Sequence, residues 1–507
     1  MEKWIWIPVI LGVIIVIVFS IILGLKQKLR SQDFTFTSFF LSKERISDHE
    51  MVATLAATNT ALALIVFWFS YLGWFYGLGM AFWLFLFWVI GLEVFAQMQK
   101  KWNDYPGKMA EQHDDPKYHT LHEYIADNKS DWARRSLALV SIITFLLMMT
   151  VELTRGMRVF DVVNSANDKS MSDSLALIVL LSISVYSAIG GYKAVIVTDK
   201  YQLLFCFFAI LISFIIAVHG IWGEKNLFGS IYSPSDFTFS NFFLLNEPYL
   251  IIGSLFSWSF WFIVTMDMWQ RASASRKIQL VTIKTRMYLY PWFLFLTITS
   301  VCIGAFTRVY FPGDSSITFP TVNFLEKIMQ NFALYPIWGG ILLIIIFVGF
   351  ISAMLSTLDT YFIAVTQSIL RDLPTSVDVR KFQSKAFSRG VPIFVVIGIS
   401  LSIYPIYLLV THSKFSINTL LYLATSAPFI LLVPILFKKI NTSYSIILSC
   451  LLGFIGLFII ITFLLTKLST ATADMVGYWY NWLYISPLFA SFFSLIGFLI
   501  GKNIKSR

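Results

Sequence analysis

The sequence predicts an all-α protein that crosses a membrane many times, and three observations carry that class. Of 507 residues, 57% are hydrophobic and only 13% are charged, where a soluble domain carries roughly 25% charged residues. Mean hydropathy is +0.74. The apolar runs are continuous over about 20 residues, the length a helix needs to cross hydrocarbon, whereas barrel strands alternate over about ten.

Thirteen spans are expected, near 4–24, 51–72, 75–98, 136–160, 172–192, 194–219, 249–270, 287–307, 336–370, 390–410, 416–437, 443–466 and 482–501. The first, "WIWIPVILGVIIVIVFSIILGL", is too long for a signal-peptide core, and no small-residue cleavage site follows it. It is read as a retained helix.

Basic residues in the loops set the expected orientation. Lys26, Lys28, Arg30, Lys43 and Arg45 follow the first span, and Lys101, Lys108, Lys117, Lys129, Arg134 and Arg135 follow the third. They return at Arg271, Arg276, Lys277, Lys284 and Arg286, between Arg371 and Arg389, at Lys438 and Lys439, and in the tail "GKNIKSR". The alternate connections carry few, such as Lys169, Lys225 and Lys414. This pattern predicts a multi-pass protein of the plasma (inner) membrane with its N-terminus outside and its C-terminus in the cytoplasm. The net charge of +10 then reflects topology and attraction to anionic lipid, and no nucleic-acid partner is expected.

Cys206, Cys302 and Cys450 lie in or beside apolar spans and show no disulfide or metal spacing. No soluble domain is expected either. The longest polar segment, roughly 99–135, is too poor in apolar residues for a core, and "TLHEYIADN" within it reads as a short interfacial helix.

A carboxylate at bilayer depth costs about 2.5–3.5 kcal/mol even on the mild scale, so such residues point to function. Glu93, Glu152, Arg155, Asp199, Asp267 and Asp359 are the candidates. Glu93 and Asp267 fall near cytoplasmic ends, where a local ion pair or snorkelling accounts for them. Asp359 sits in "GFISAMLSTLDTYFIAV" with Ser352, Ser356, Thr357 and Thr360. Residues three and four apart share a helix face, so this stretch gathers hard oxygen atoms of the kind that suit a hard cation such as sodium. The competing reading is back-bonding of Ser and Thr to the carbonyl four residues earlier, which suits Ser352 best. In "ATLAATNTALAL", Ala53 to Leu64, small and hydroxyl side chains suit either close helix packing or an unwound helix offering carbonyls to an ion.

Three motifs together resemble the sodium:solute symporter family, which includes sodium/proline, sodium/sugar and sodium/sialic-acid carriers. "GGYKAVIVTDKYQ" (Gly190–Gln202) is similar to its Gly-Gly-x-x-Ala-Val-x-x-Thr-Asp-x-x-Gln signature, and "SAMLSTLDT" (Ser352–Thr360) to its Ser-Ala-x-x-Ser-Thr-x-Asp-Ser helix. "WQRASASRK" (Trp269–Lys277) looks like the Gln-Arg pair at the inner end of its seventh span. "TLHEYI" and "GMRVF" are weaker echoes, and the similarity covers roughly 38–440.

The resemblance implies a LeuT-type fold of 13 transmembrane helices with two inverted five-helix repeats. The implied divisions are an extra helix in 1–30, spans 2–6 in 38–220, spans 7–11 in 245–440, and two further helices with a cytoplasmic tail in 441–507. It implies a sodium site built from the carbonyls of Ala57, Thr60 and Ala353 and the hydroxyls of Ser356 and Thr357. A second cation site would use Asp199, Ser356, Asp359 and Thr360. Asn59 stands where well-studied relatives carry Asp, offering a carbonyl oxygen without charge. The implied solute pocket takes Asn59, Met148, Glu152, Arg155, Trp258, Phe262 and Met266. Glu152 and Arg155 are three apart on one face and serve either as a structural ion pair or as partners for the two charges of a zwitterion.

The expectation is therefore a sodium-coupled symporter that imports a small organic solute, foremost an amino acid or similar zwitterion. It would act as a monomer, with sodium as coupling ion and no other cofactor. The alternatives are a proton-coupled carrier of the same fold, a sugar or carboxylate symporter, and a non-transporting membrane sensor. No nucleophile–base pair stands out, so an enzyme is not expected.

Overall fold

In hydrocarbon every backbone N–H and C=O must be satisfied within the segment, so continuous apolar runs fold as helices. The computed structural model describes residues 6–30, 36–41, 46–103, 118–161, 170–220, 239–275, 281–311, 320–332, 336–374, 387–412, 417–470, 479 and 482–504. The principal helices are α1 (Trp6–Arg30), α2 (Asp48–Thr58), α3 (Trp68–Tyr76), α4 (Met80–Asn103), α5 (Leu121–Ile125), α6 (Asp131–Gly156), α7 (Ser170–Gly220), α8 (Pro248–Val264), α9 (Met266–Ala274), α10 (Ile283–Tyr310) and α11 (Pro320–Phe332). They continue as α12 (Pro336–Arg371), α13 (Phe387–His412), α14 (Ile417–Ser426), α15 (Leu432–Leu436), α16 (Ser443–Ser469) and α17 (Ser486–Asn503).

Among the described residues, eight helices are long and apolar enough to cross a membrane, or ten when each of two bent pairs is taken as one span. The expected count of thirteen is not reached by that criterion. Part of the difference is α7, whose apolar stretch runs 48 residues from Ser172 to His219. At 1.5 Å per residue that is about 72 Å, more than twice the hydrocarbon thickness. It is interrupted at Gly191, where φ is 59° and ψ is −157°. The basic loop residues Lys43, Arg45, Lys108, Lys117, Lys169, Lys225, Arg276, Lys277 and Lys414, and most of 371–389, lie outside the described residues.

Two helices are broken rather than curved. α2 and the helical run Leu62–Tyr76, whose first turn and a half is a π-helix continuing into α3, meet at 57°, and α8 meets α9 at 45°. The first break needs neither glycine nor proline. The Thr60 hydroxyl donates to Ala56 O at 2.6 Å and the Asn59 amide to Leu55 O at 2.7 Å, so side chains take the carbonyls that would extend α2. Ala61 is then extended, with φ −51° and ψ 132°. At the second break Thr265 is extended (φ −98°, ψ 127°), and Trp269 Nε1 caps the freed Ile263 carbonyl at 3.1 Å.

Glycines let the broken helices lie backbone against backbone on their neighbours. A Cβ on Gly73 would stand 2.1 Å from Val301 O, and one on Gly304 would stand 1.8 Å from Ser70 O, so α3 and α10 touch reciprocally. Gly91 brings α4 equally close to Trp258 O of α8. α12, nearly all buried in its second half, packs against both α6 and α7.

Candidate functional site

The polar stripe of α12 meets α2, α7 and α9 in one buried cluster. Ser356 Oγ donates to Asp199 Oδ1 at 2.5 Å, and Thr54 Oγ1 donates to Asp199 Oδ2. Tyr186 donates its hydroxyl to Asp359 Oδ2 at 2.6 Å, and Asp359 Oδ1 has no hydrogen-bond partner among the described residues. Thr58 and Thr360 approach to 3.3 Å across the crossing of α2 and α12. Asp199, Asp359 and Thr360 are fully buried.

Arg271 supplies the cluster's cation. It is fully buried, and its guanidinium donates to Asp267 Oδ2 at 2.9 Å, to Asp267 O at 3.2 Å and to Thr360 Oγ1 at 3.2 Å. It also donates to Thr58 Oγ1 and, at 3.4 Å, to Thr54 Oγ1, the hydroxyl that reaches Asp199. Three buried carboxyl groups thus lie in the cluster with one guanidinium, which pairs directly with Asp267 alone. Sequence reasoning quoted Arg271 within a motif but gave it no place in the site, and it passed over Thr54, Thr58 and Tyr186. Their common signal was a polar side chain inside an apolar helix.

Of the residues of the implied sodium site, Ala57 and Thr60 sit at the first break and Ala353, Ser356 and Thr357 on α12. Thr60 N–H donates to Ala57 O at 2.9 Å, and Trp292 Nε1 donates to Thr60 Oγ1 at 3.1 Å. Thr357 back-bonds to Ala353 O at 3.1 Å, as Ser352 does to Val348 O at 2.7 Å. Each hydroxyl oxygen engaged in this way keeps a lone pair for a cation. Ala57, Ala353 and Thr357 are all buried. Glu93 and Asp267 both form ion pairs, Glu93 with Arg286 at 2.6 Å and Asp267 with Arg271 at 2.9 Å.

A cavity opens beside the first break, between the end of α2 and α8. Its walls are Trp68 of α3, Trp258 and Trp261 of α8, Tyr361 of α12, Tyr422 of α14, and Tyr484 just before α17. Thr58, Asn59, Ser254, Ser257, Thr425 and Ser486 add hydroxyl and amide groups, and among the described residues no Asp, Glu, Lys, Arg or His lines it. Of the expected pocket residues, Asn59 and Trp258 line this cavity. Met148, Glu152, Arg155, Phe262 and Met266 are buried elsewhere. Phe262 packs among Phe95 and Phe293, and Met266 Sδ accepts from Leu121 N–H at 3.5 Å.

Glu152 does something the sequence did not suggest. Its Oε1 accepts from Ala63 N–H at 3.1 Å, and its Oε2 accepts from Ala63 N–H at 3.2 Å and Leu64 N–H at 3.1 Å. Leu62 N–H adds a further bond. These are the first donors of the helix beyond the break, which have no intrahelical partner. The sequence pattern could not show this, because the acceptor lies 88 residues or more away along the chain.

α5 packs against α9. His122 bridges Asp372 Oδ2 and Ser141 Oγ, each at 2.7 Å, and Thr120 donates to Asp372 Oδ1 at 2.7 Å. Arg371 pairs with Glu123 at 2.5 Å, and Tyr124 lies between Trp269 and the Lys438 ammonium. Burial pushes the Glu123 carboxyl above its ordinary range, against the opposing pull of Arg371.

The profile of the sodium:solute symporter family matches residues 39–453. The chain belongs to the sodium:solute symporter family. Among solved structures, a sodium-coupled sialic acid symporter in a substrate-bound outward-open state matches with a TM-score of 0.66 and 15% identity, covering 98% of each chain. That likeness shows a shared fold. MhsT in complex with L-phenylalanine matches more weakly, at TM-score 0.44 and 16% identity over 89% of this chain and 98% of that one. No curated protein matches the chain in sequence. For this member of the family, the polar stripe of α12, the two broken helices and the cavity at the first break form one continuous region.

Proposed function

We propose that this symporter carries a small organic solute inward with sodium as the coupling ion. Support comes chiefly from one observation: Asp199, Ser356 and Asp359 gather buried oxygen ligands from α7 and α12 against the broken α2, with more carboxyl groups than Arg271 pairs directly. In this reading sodium binds between the break at 59–61 and Ala353, Ser356 and Thr357, with Asp199, Asp359 and Thr360 beside it. The solute takes the aromatic cavity next door.

Coupling then needs sodium to raise solute affinity and solute to raise sodium affinity by the same factor, about 5–150-fold for a coupling of 1–3 kcal/mol. Sodium entering down a membrane potential supplies about 2.3 kcal/mol per charge per 100 mV. The thirteen-span topology is part of the same proposal, with α7 counted as two spans about Gly191, α1 and α17 as spans, and the two bent helices as counterparts in inverted repeats. The protein would sit in the plasma (inner) membrane as a monomer, N-terminus outside, and the cavity would open on the outer side, away from the basic loops. Nothing in the described site favours an enzyme or a sensor.

The substrate class expected from sequence, a zwitterion held by Glu152 and Arg155, rested on a free Glu152 carboxylate. Its oxygens are engaged by backbone N–H groups instead. The solute's chemistry is therefore better read from the cavity walls.

The test is the melting temperature of the purified protein in sodium chloride against choline chloride and potassium chloride, at fixed pH and ionic strength. Stabilisation by sodium alone, saturating with concentration, is the expected result. Equal stabilisation by all three salts would overturn sodium coupling, and a sodium effect replaced by a pH effect would favour proton coupling through Asp359.

A further inference from the structure

A helix that restarts inside a membrane exposes unpaired N–H groups and the positive end of its dipole, and such ends attract anionic groups of substrates. Here that place is already filled. Glu152 is completely buried, projects from α6, and spends both oxygens on the first N–H groups after the break. Among the described residues, no cationic side chain lines the cavity beside the break. A solute carboxylate entering it would find the helix end occupied and, among the described lining residues, no ammonium or guanidinium to pair with.

We propose that Glu152 is a resident carboxylate that occupies the anion position created by the broken helix, and that the cavity therefore selects solutes without a carboxylate. What remains for recognition is chemistry suited to an uncharged ring. Trp68, Trp258, Trp261 and Tyr422 offer flat apolar faces. Ser254, Ser257 and Thr425 offer hydroxyl donors and acceptors. The inference deepens the symporter reading and rests on it for the identity of the cavity, whereas the capping role of Glu152 stands on its own hydrogen bonds.

Two arms test it by thermal melts of the purified protein at constant sodium. In the first, choline formate is titrated against choline chloride into wild type and Glu152→Ala. Removing the side chain vacates the anion position, so formate should stabilise the variant at least tenfold more tightly than wild type. Equal responses would overturn the resident-carboxylate assignment. Glu152→Ser, which keeps a short acceptor, replaces the alanine variant if that does not fold.

The second arm needs only wild type and compares matched probes: uracil with orotate, glucose with glucuronate, and L-tryptophanamide with L-tryptophan. Stabilisation by a neutral or amide member and not by its acid supports the selectivity. An acid that binds wild type as well as its partner or better overturns it, as does the failure of every neutral or amide probe to bind. Loss of sodium-specific stabilisation would sink the symporter reading while leaving the formate result intact, so the two failures are distinguishable.

Discussion

The Ser356 hydroxyl donates to Asp199 across 2.5 Å and so joins α12 to α7 at the level of the α2 break. Ser352, one turn earlier on α12, donates only to its own helix, at Val348 O. Two serines four residues apart therefore carry different expectations. Ser356→Ala should raise the sodium concentration for half-maximal stabilisation about tenfold, which corresponds to ~1.4 kcal/mol. Asp199→Asn should raise it further, whereas Ser352→Ala should leave it unchanged. Sodium titrations followed by thermal melts read all three, and identical midpoints would remove Ser356 and Asp199 from the cation site.

Arg271 is the only cation hydrogen-bonded within the buried cluster among the described residues. Arg271→Gln leaves Asp267 buried without its partner, and breaking a buried pair in this way costs about 3–5 kcal/mol. Arg271→Lys should recover little, because an ammonium cannot reproduce a planar fork that reaches Asp267 and three threonines. The yield of monodisperse protein and its melting temperature check this. A lysine variant as stable as wild type would show that charge alone suffices.

Asp372 accepts from both Thr120 and His122 and ties α5 to the end of α12. Asp372→Ala strands two buried donors, at about 1–3 kcal/mol for each group left unsatisfied. The expected signs are a lowered melting temperature and faster labelling of a cysteine placed under α9, since α5 would no longer be held there. Asp372→Asn keeps one acceptor and should lose less. Unchanged labelling in the alanine variant would mean that the ties through Glu123 and Gln367 hold α5 alone.

Gly191 has a backbone conformation (φ 59°, ψ −157°) that is essentially restricted to glycine, and a Cβ there would lie 2.8 Å from Phe39 O. Gly191→Ala should cost about 1–3 kcal/mol. Gly390→Ala serves as the control, because its Cβ would meet nothing within 4 Å. A melting temperature that falls in the first variant and holds in the second is the expected outcome.

The helical membrane class was legible from composition and run length, and the family from motifs that fall within the matched region. The stripe of α12 was legible too, because Ser356 and Asp359 stand out against an apolar helix. What sequence could not supply was partnership. Glu152 and Arg155 share a face by spacing, yet Glu152 serves a helix 88 residues or more away. Met148, Phe262 and Met266 follow the periodicity of a pocket wall, but that periodicity equally describes core packing, where they lie. Trp261 and Tyr422 line the cavity because tertiary packing turns them there, which no local pattern encodes.

The reciprocal seating of Gly73 and Gly304 leaves no room between α3 and α10 for side chains to slide. Two rods seated backbone on backbone are held in one register, and no side chain can be added at either glycine without parting them.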